Sequence, residues 1–282
     1  MDRKTAPDSG EMPRPPRVLT VAASDSSGAA GLQADLKTFT ARGVYGLSVV
    51  TAITAQDSVG IKAIQTVQIP FISAQIAAVV NDIGVDAVKT GLLPGAPLIE
   101  AVSLALLDNV PCLVVDPVLV TGAGLRFADD THVKAYRDEL FPYARIITPN
   151  LDEAAILLGV EKTTLYAPEA LREAARRLRQ ETGAAAVLIK GGHLPGNLMI
   201  DVLCDGDTLY DYVGERLPIE NPRGTGCTFA ACITAELAKG HPLPEAVQTA
   251  KDYLAAALRA AIGWRMGQGR GTVWHAVRPE SN

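Results

Sequence analysis

The run Asn221-Pro222-Arg223-Gly224-Thr225-Gly226-Cys227-Thr228 leads straight into an alanine-rich stretch with helical periodicity, Thr225–Lys239. Glycines at a helix start leave backbone N–H groups free to point at an anion, and the helix dipole adds to the attraction. A glycine-containing turn with Thr225 as N-cap is the plainer reading of the same residues. Cys227 favours the anion site, because a thiol at a helix N-terminus tends toward a lowered pKa. Three other loops carry chemistry that fits beside it. Ser24-Asp25-Ser26-Ser27-Gly28-Ala29-Ala30-Gly31 runs into Gln33-Ala34-Asp35-Leu36-Lys37. There Asp35 either faces a cleft or is an ordinary solvated helix residue. Asp116-Pro117 and Thr148-Pro149-Asn150-Leu151-Asp152-Glu153 set carboxylates where Mg²⁺ could be held, through water, beside phosphates. An Asp-Pro turn and a capping box on Asn150 and Glu153 are the plainer alternatives. Lys190-Gly191-Gly192-His193 offers a lysine as a point charge for phosphate.

An anion binder, carboxylates and a lysine are the parts needed for phosphoryl transfer, where positioning and charge neutralisation supply most of the catalysis. From residues alone the expectation is a nucleotide-dependent kinase without a P-loop, since no G-K-[ST] triplet occurs. The first glycine loop does not fit G-x-G-x-x-G either. Neither G-x-S-x-G nor H-E-x-x-H is present, which removes the usual serine-hydrolase and zinc-hydrolase signatures.

These loops must be positioned by alternating strands and helices. Apolar runs read as strands at Val18–Ala23, Leu47–Ile53, Val85–Lys89, Cys112–Val115, Arg145–Thr148 and Ala186–Lys190. Between them, helices are expected over Gly31–Arg42, Phe71–Val80, Ala96–Leu107, His132–Leu140, Asp152–Leu158 and Pro168–Glu181. Ile61–Gln68 alternates as a half-exposed strand or flap. Met199–Cys204 and Thr208–Val213 flank Asp205-Gly206-Asp207, a strong hairpin signal. Thr225–Lys239 and Pro244–Ile262 are the last helices. Such alternation implies a doubly wound, mostly parallel sheet with helices on both faces, in a three-layer αβα sandwich. Its ligand site belongs beyond the C-terminal ends of the strands. Every candidate loop follows a strand or opens a helix at that level.

Composition narrows the class. The 282 residues carry 26 Lys+Arg against 31 Asp+Glu, a net charge of −5, which argues against a nucleic-acid binder that neutralises many phosphates. Aromatic residues at 5% are too few for a single-strand stacking platform. No window reaches the roughly 18 apolar residues needed to span a bilayer, so no membrane partner is expected. Four scattered cysteines without a C-x-x-C pair fit a reducing cytoplasm. One domain over 17–276 is expected, with an extension over 1–16 and a tail over 277–282.

Larger blocks make the likeness specific. Ala22–Phe39, Gly43–Gln56, Val88–Leu93, Val114–Val118, Ile147–Ala154, K-G-G-H and G-T-G-C-T occur in order across over nine-tenths of the chain. From Val18 to about Val273 the chain resembles the hydroxymethylpyrimidine/phosphomethylpyrimidine kinases of thiamine biosynthesis, in the ribokinase-like superfamily. The resemblance implies phosphorylation of the pyrimidine alcohol by ATP, then of the monophosphate to the diphosphate. It implies that Asp35 and Gln56 bind the pyrimidine, in a pocket that also takes in Ala23, Leu92 and Val118. Gly224, Thr225, Gly226 and Cys227 would form the anion hole, with Cys227 where ribokinase relatives carry an aspartate base. Lys190 would contact ATP phosphates, with Asn150 beside it on the nucleotide, and Asp116 and Glu153 would support Mg²⁺; Arg223, where the family commonly has histidine, adds a cofactor-side donor for phosphate. A homodimer acting on a small-molecule pyrimidine is the family expectation. The chain departs from the family pattern at Ala23, Ser26, Ala29, Thr54, Leu92 or Leu93, and Arg223, which bears on the substrate more than on the chemistry. Pyridoxal kinase of the same superfamily, or a non-catalytic nucleotide- or pyrimidine-binding protein, are the alternatives.

Overall fold

Short runs of branched apolar residues, buried on both faces, can only be central strands of a covered sheet. A computed structural model shows this arrangement and describes residues 14–106, 110–120, 128–192, 194, 198–219, 222–269 and 271–277. The strands are β1 (Arg17–Asp25), β2 (Tyr45–Gln56), β3 (Ile61–Thr66), β4 (Ala87–Thr90), β5 (Leu113–Val115), β6 (Ile146–Ile147), β7 (Ala186–Ile189), β8 (Leu198–Asp205) and β9 (Thr208–Glu215). They form one sheet in the order β3-β2-β1-β4-β5-β6-β7-β8-β9. Its centre, β2 through β7, is parallel, while β3, β8 and β9 pair antiparallel with their neighbours. The expected hairpin is β8–β9, turning at Gly206 with φ +58°.

The helices are α1 (Gly31–Ala41), α2 (Ile69–Ala78), α3 (Ala96–Leu106), α4 (Asp130–Ala135), α5 (Leu151–Leu158), α6 (Pro168–Thr182), α7 (Thr225–Ala238) and α8 (Leu243–Arg259). Side chains alternate along each strand, so one sheet serves two cores. Val115, Ile147, Val187 and Ile189 face the core shared with α2 to α6. Val114, Ile146, Ala186 and Leu188 face α7 and α8. Val18 packs with Phe39 of α1 and Ala231 of α7. These are the three layers expected from the alternation.

Most boundaries lie within a few residues of expectation, and two differences have physical causes. The expected helix His132–Leu140 starts at Asp130, because Asp129 caps it by accepting the His132 N–H at 2.9 Å. It then widens into a π-turn over Tyr136–Leu140. Ile61–Thr66 is a strand, yet exposed at all six positions rather than half-exposed, because it is the sheet's outer edge. His193, Asn221, Leu107 and most of the expected extension and tail lie outside the described residues.

Candidate active site

The sheet order reverses direction at β1: the chain goes first to β2 on one side and later to β4 on the other. A crevice opens beyond the strand ends at such a point. Asp25 closes β1 there, and its carboxylate accepts the N–H groups of Ser27, Ala29 and Ala30 at 2.8, 3.2 and 2.9 Å. Arg223 Nη2 donates to the same carboxylate at 3.2 Å and to Ser27 Oγ at 2.6 Å, and Nη1 donates to the Asp57 carbonyl at 2.5 Å. The loop before α7 is therefore fastened onto the loop before α1. Gly224 makes that approach possible. It caps α7 at φ +82°, and a Cβ there would stand 1.8 Å from the Ala29 carbonyl oxygen.

Asp35 on α1 is fully buried, not a solvated helix residue. Its Oδ2 accepts from Lys89 Nζ at 2.9 Å and from the Thr20 hydroxyl at 2.6 Å, while Oδ1 is buried with no partner among the described residues. Burial pushes the Asp35 carboxyl up, opposed by Lys89. Burial disfavours the Lys89 ammonium, but Asp35, Cys227 and Asp116 outweigh it and hold its pKa above the ordinary range. The two directions compete over one proton, and two donors converging on Oδ2 fit the ionised pair. Cys227, in the first turn of α7, corrects an expectation. Burial pushes its thiol up to about 11, against the pull of Lys89 and the Gly31 N–H, so desolvation prevails over the helix start.

A second cluster lies beside the first at the start of α7. Lys190 Nζ donates to Asp116 Oδ1 at 2.8 Å, and the Thr148 hydroxyl donates to the same oxygen at 3.0 Å. A Cβ on Gly226 would meet Lys190 Nζ at 3.3 Å and Asp116 Oδ2 at 3.8 Å. Burial opposes the Asp116 charge, but Lys190 and Lys89 prevail and hold its carboxyl below the usual range. Burial pushes the Glu153 carboxyl up, with Asp116 adding to the shift. Glu153 Oε2 accepts the Asn150 N–H at 2.8 Å and Asn150 Oδ1 accepts the Glu153 N–H at 3.0 Å, so the capping box is real. Asn150 also bridges Lys190 in parallel β fashion, which puts both at one level. Among the described residues no group of three or more His, Cys, Asp or Glu side chains is placed to hold a metal. Asp116 Oδ2 and Glu153 therefore suit only a cation that also takes oxygens from phosphate and water.

Two departures from the family pattern meet at Gln56. Ser26 Oγ accepts the Gln56 N–H at 2.8 Å and donates to its carbonyl at 2.7 Å. Thr54 Oγ1 lies 3.3 Å from Gln56 Oε1 and 3.0 Å from the Ser24 carbonyl. Leu92, just past β4, is half-buried and fixed through its carbonyl by the Thr51 hydroxyl at 2.8 Å. Val118, past β5, is likewise half-buried, and Ala23 is buried in β1 under Gly31. A cavity of about 910 Å³ lies behind the β1–α1 loop, lined by Lys37, Trp264, Trp274, Ser27 and Arg223; it does not take in Asp35, Gln56, Lys190 or Cys227.

Residues 25–274 match the family model described as phosphomethylpyrimidine kinase. The chain belongs to the phosphomethylpyrimidine kinase family. It is 47% identical over 260 residues to a hydroxymethylpyrimidine/phosphomethylpyrimidine kinase of Rhizobium meliloti, covering 92% of this chain and 97% of that one. It is 46% identical over 264 residues to a bifunctional thiamine biosynthesis protein of Geobacter sulfurreducens, spanning 93% of this chain and 53% of that longer one. Among solved structures, a Staphylococcus aureus pyridoxal kinase in complex with ADP superposes with TM-score 0.86 at 34% identity, covering 94% of both chains. The phosphomethylpyrimidine kinase of Clostridium difficile superposes with TM-score 0.76 at 36% identity, covering 86% of this chain and 99% of that one. The expected family, fold and kinase class therefore hold. Sequence reading quoted Lys89 and Asp25 within their segments but gave neither a role, although they neutralise or organise the site from beneath. A lysine in an otherwise apolar strand was the signal for the first, since a buried ammonium needs a carboxylate.

Proposed function

We propose that this kinase transfers the γ-phosphoryl group of ATP to the hydroxymethyl oxygen of 4-amino-5-hydroxymethyl-2-methylpyrimidine, and then to the monophosphate it has made. The observation that carries the reading is the first turn of α7. There Gly226 abuts the Lys190–Asp116 pair while Cys227, the next residue, feels the Lys89–Asp35 pair. Adjacent residues thus serve a phosphate-binding side and an acceptor side.

In this reading Gln56, and Asp35 through its unpartnered Oδ1, take donors and acceptors of the pyrimidine. Ala23, Leu92 and Val118 give it apolar contact. Backbone N–H groups from Gly224 to Cys227 receive the transferred phosphoryl group, which needs charge stabilisation more than covalent help. Lys190 holds phosphate oxygens at the expense of part of its pairing with Asp116, and Asn150 presents its amide to the nucleotide. Arg223 acts on the nucleotide side by fixing the α7 loop, since both its terminal nitrogens are already engaged. Cys227, as thiolate, takes the hydroxyl proton as the oxygen bonds to phosphorus and ADP leaves. Asp116 and Glu153 would hold Mg²⁺ together with phosphate oxygens, and the cation would neutralise charge on the transferred group.

A second reading, pyridoxal kinase, rests on the solved pyridoxal kinases at 34–37% identity. A coupled ADP-release assay on a panel of acceptors separates the two. The outer strand supports a homodimer: Ile53, Ile61 and Ile64 are exposed on β2 and β3, at an edge that another copy can cover. Four free cysteines support a cytoplasmic location. Among the described residues, no helix is long and apolar enough to cross a membrane.

A further inference from the structure

Gly224 carries the start of α7, and its carbonyl is held from one residue twice: Thr228 donates to it through its N–H at 2.9 Å and through its hydroxyl at 2.8 Å. That hydroxyl has only one proton. With that proton placed on Gly224, the His275 Nε2 found 3.0 Å from Thr228 Oγ1 is the donor in their contact, in its Nε2–H tautomer. Burial, with Lys37 nearby, lowers the His275 pKa to about 4, which leaves a neutral ring. His275 is only 5% exposed and its carbonyl is pinned by the Tyr253 hydroxyl at 2.7 Å. Its neighbours are pinned too: the Trp274 N–H donates to the Ala257 carbonyl, and the Gly271 carbonyl accepts the Arg223 N–H at 2.9 Å.

We infer that His275 is a positioning residue for phosphoryl transfer, acting through Thr228 on the Gly224 carbonyl and so on the aim of the anion-hole amides. It touches none of the reacting groups. The C-terminal segment grips the α7 loop on both sides of Gly224, at Arg223 through Gly271 and at Thr228 through His275. Fixing amide direction matters because small misalignments of a positioned group cost rate steeply. This inference rests on the reading of α7 as the phosphoryl site.

The test compares wild type with His275→Leu, His275→Gln, Thr228→Val and the Leu/Val double variant, each assayed by ADP release and thermal unfolding. The acceptor is whichever of hydroxymethylpyrimidine or pyridoxal the wild type turns over. His275→Leu is expected to lower kcat roughly tenfold, with both KM values within about twofold of wild type. His275→Gln, whose amide supplies an N–H near the Nε2 position, is expected to restore most of it. The double variant should be no slower than Thr228→Val alone, because without the hydroxyl the histidine has nothing to act through. Unchanged kcat in His275→Leu at a lowered Tm, no rescue by Gln, or multiplying losses in the double variant would each overturn the inference. A wild type inactive on both acceptors would instead refute the reading of α7 and this inference with it.

Discussion

Lys89 Nζ lies 2.9 Å from Asp35 Oδ2, and neither side chain has any solvent-exposed area. A buried ion pair contributes little net stability, but removing one partner strands the other charge. Lys89→Met should therefore cost about 3 kcal/mol in urea unfolding. Lys89→Met combined with Asp35→Leu should recover much of that loss, since both charges are gone. A single-variant cost well under 1 kcal/mol would mean that Asp35 is neutral in the folded protein.

Gly224 and Gly240 both sit at positive φ, +82° and +88°, but only Gly224 has a neighbour in the way. Gly240→Ala should cost about 1 kcal/mol, the strain of a left-handed residue alone. Gly224→Ala adds a collision with the Ala29 carbonyl and should cost at least twice that. It should also lower kcat at least about tenfold by shifting the amides that receive phosphate. Equal costs and equal turnover would show that the two loops are free to separate without consequence.

The Cys227 thiol, pushed up to about 11, is mostly protonated at neutral pH. If its thiolate is the base, its active fraction rises tenfold with each pH unit below that value. Wild-type kcat should accordingly climb between pH 7 and 9.5, while Cys227→Ala should be low and flat, down by roughly a hundredfold or more. Stopped assays across that range check both. A flat wild-type profile with full activity in Cys227→Ser would leave the sulfur a positioning role only.

Ile53 and Ile64 are 55% and 49% exposed, on neighbouring strands at the open side of the sheet. Ile53→Glu and Ile64→Glu place a charge in the surface that a second copy would bury. Analytical ultracentrifugation should find the wild type as a dimer and these variants shifted toward monomer. A monomeric wild type removes the interface.

The layers, the hairpin and the four chemical loops were readable because each rests on local pattern: two-residue alternation, helical spacing, Asp-Gly turns and glycines before helices. What joins the loops was not. Lys89 and Asp35 are 54 residues apart, and Arg223 reaches Asp25 across 198. Nothing local in either segment announces its partner. The Cys227 thiol shows the same limit, because its position on a helix is legible while the charges around it, Lys89, Asp35 and Asp116, come from distant segments. Asp129, by contrast, is a local signal that the sequence reading missed: an Asp before the helix that caps it and accounts for the earlier start of α4.

ADP release with hydroxymethylpyrimidine, its monophosphate, pyridoxal and ribose tests the central claim most directly. Turnover of the pyrimidine alcohol and of its monophosphate, well above pyridoxal and ribose, is the predicted result. Turnover of pyridoxal alone, or of no acceptor, would contradict it.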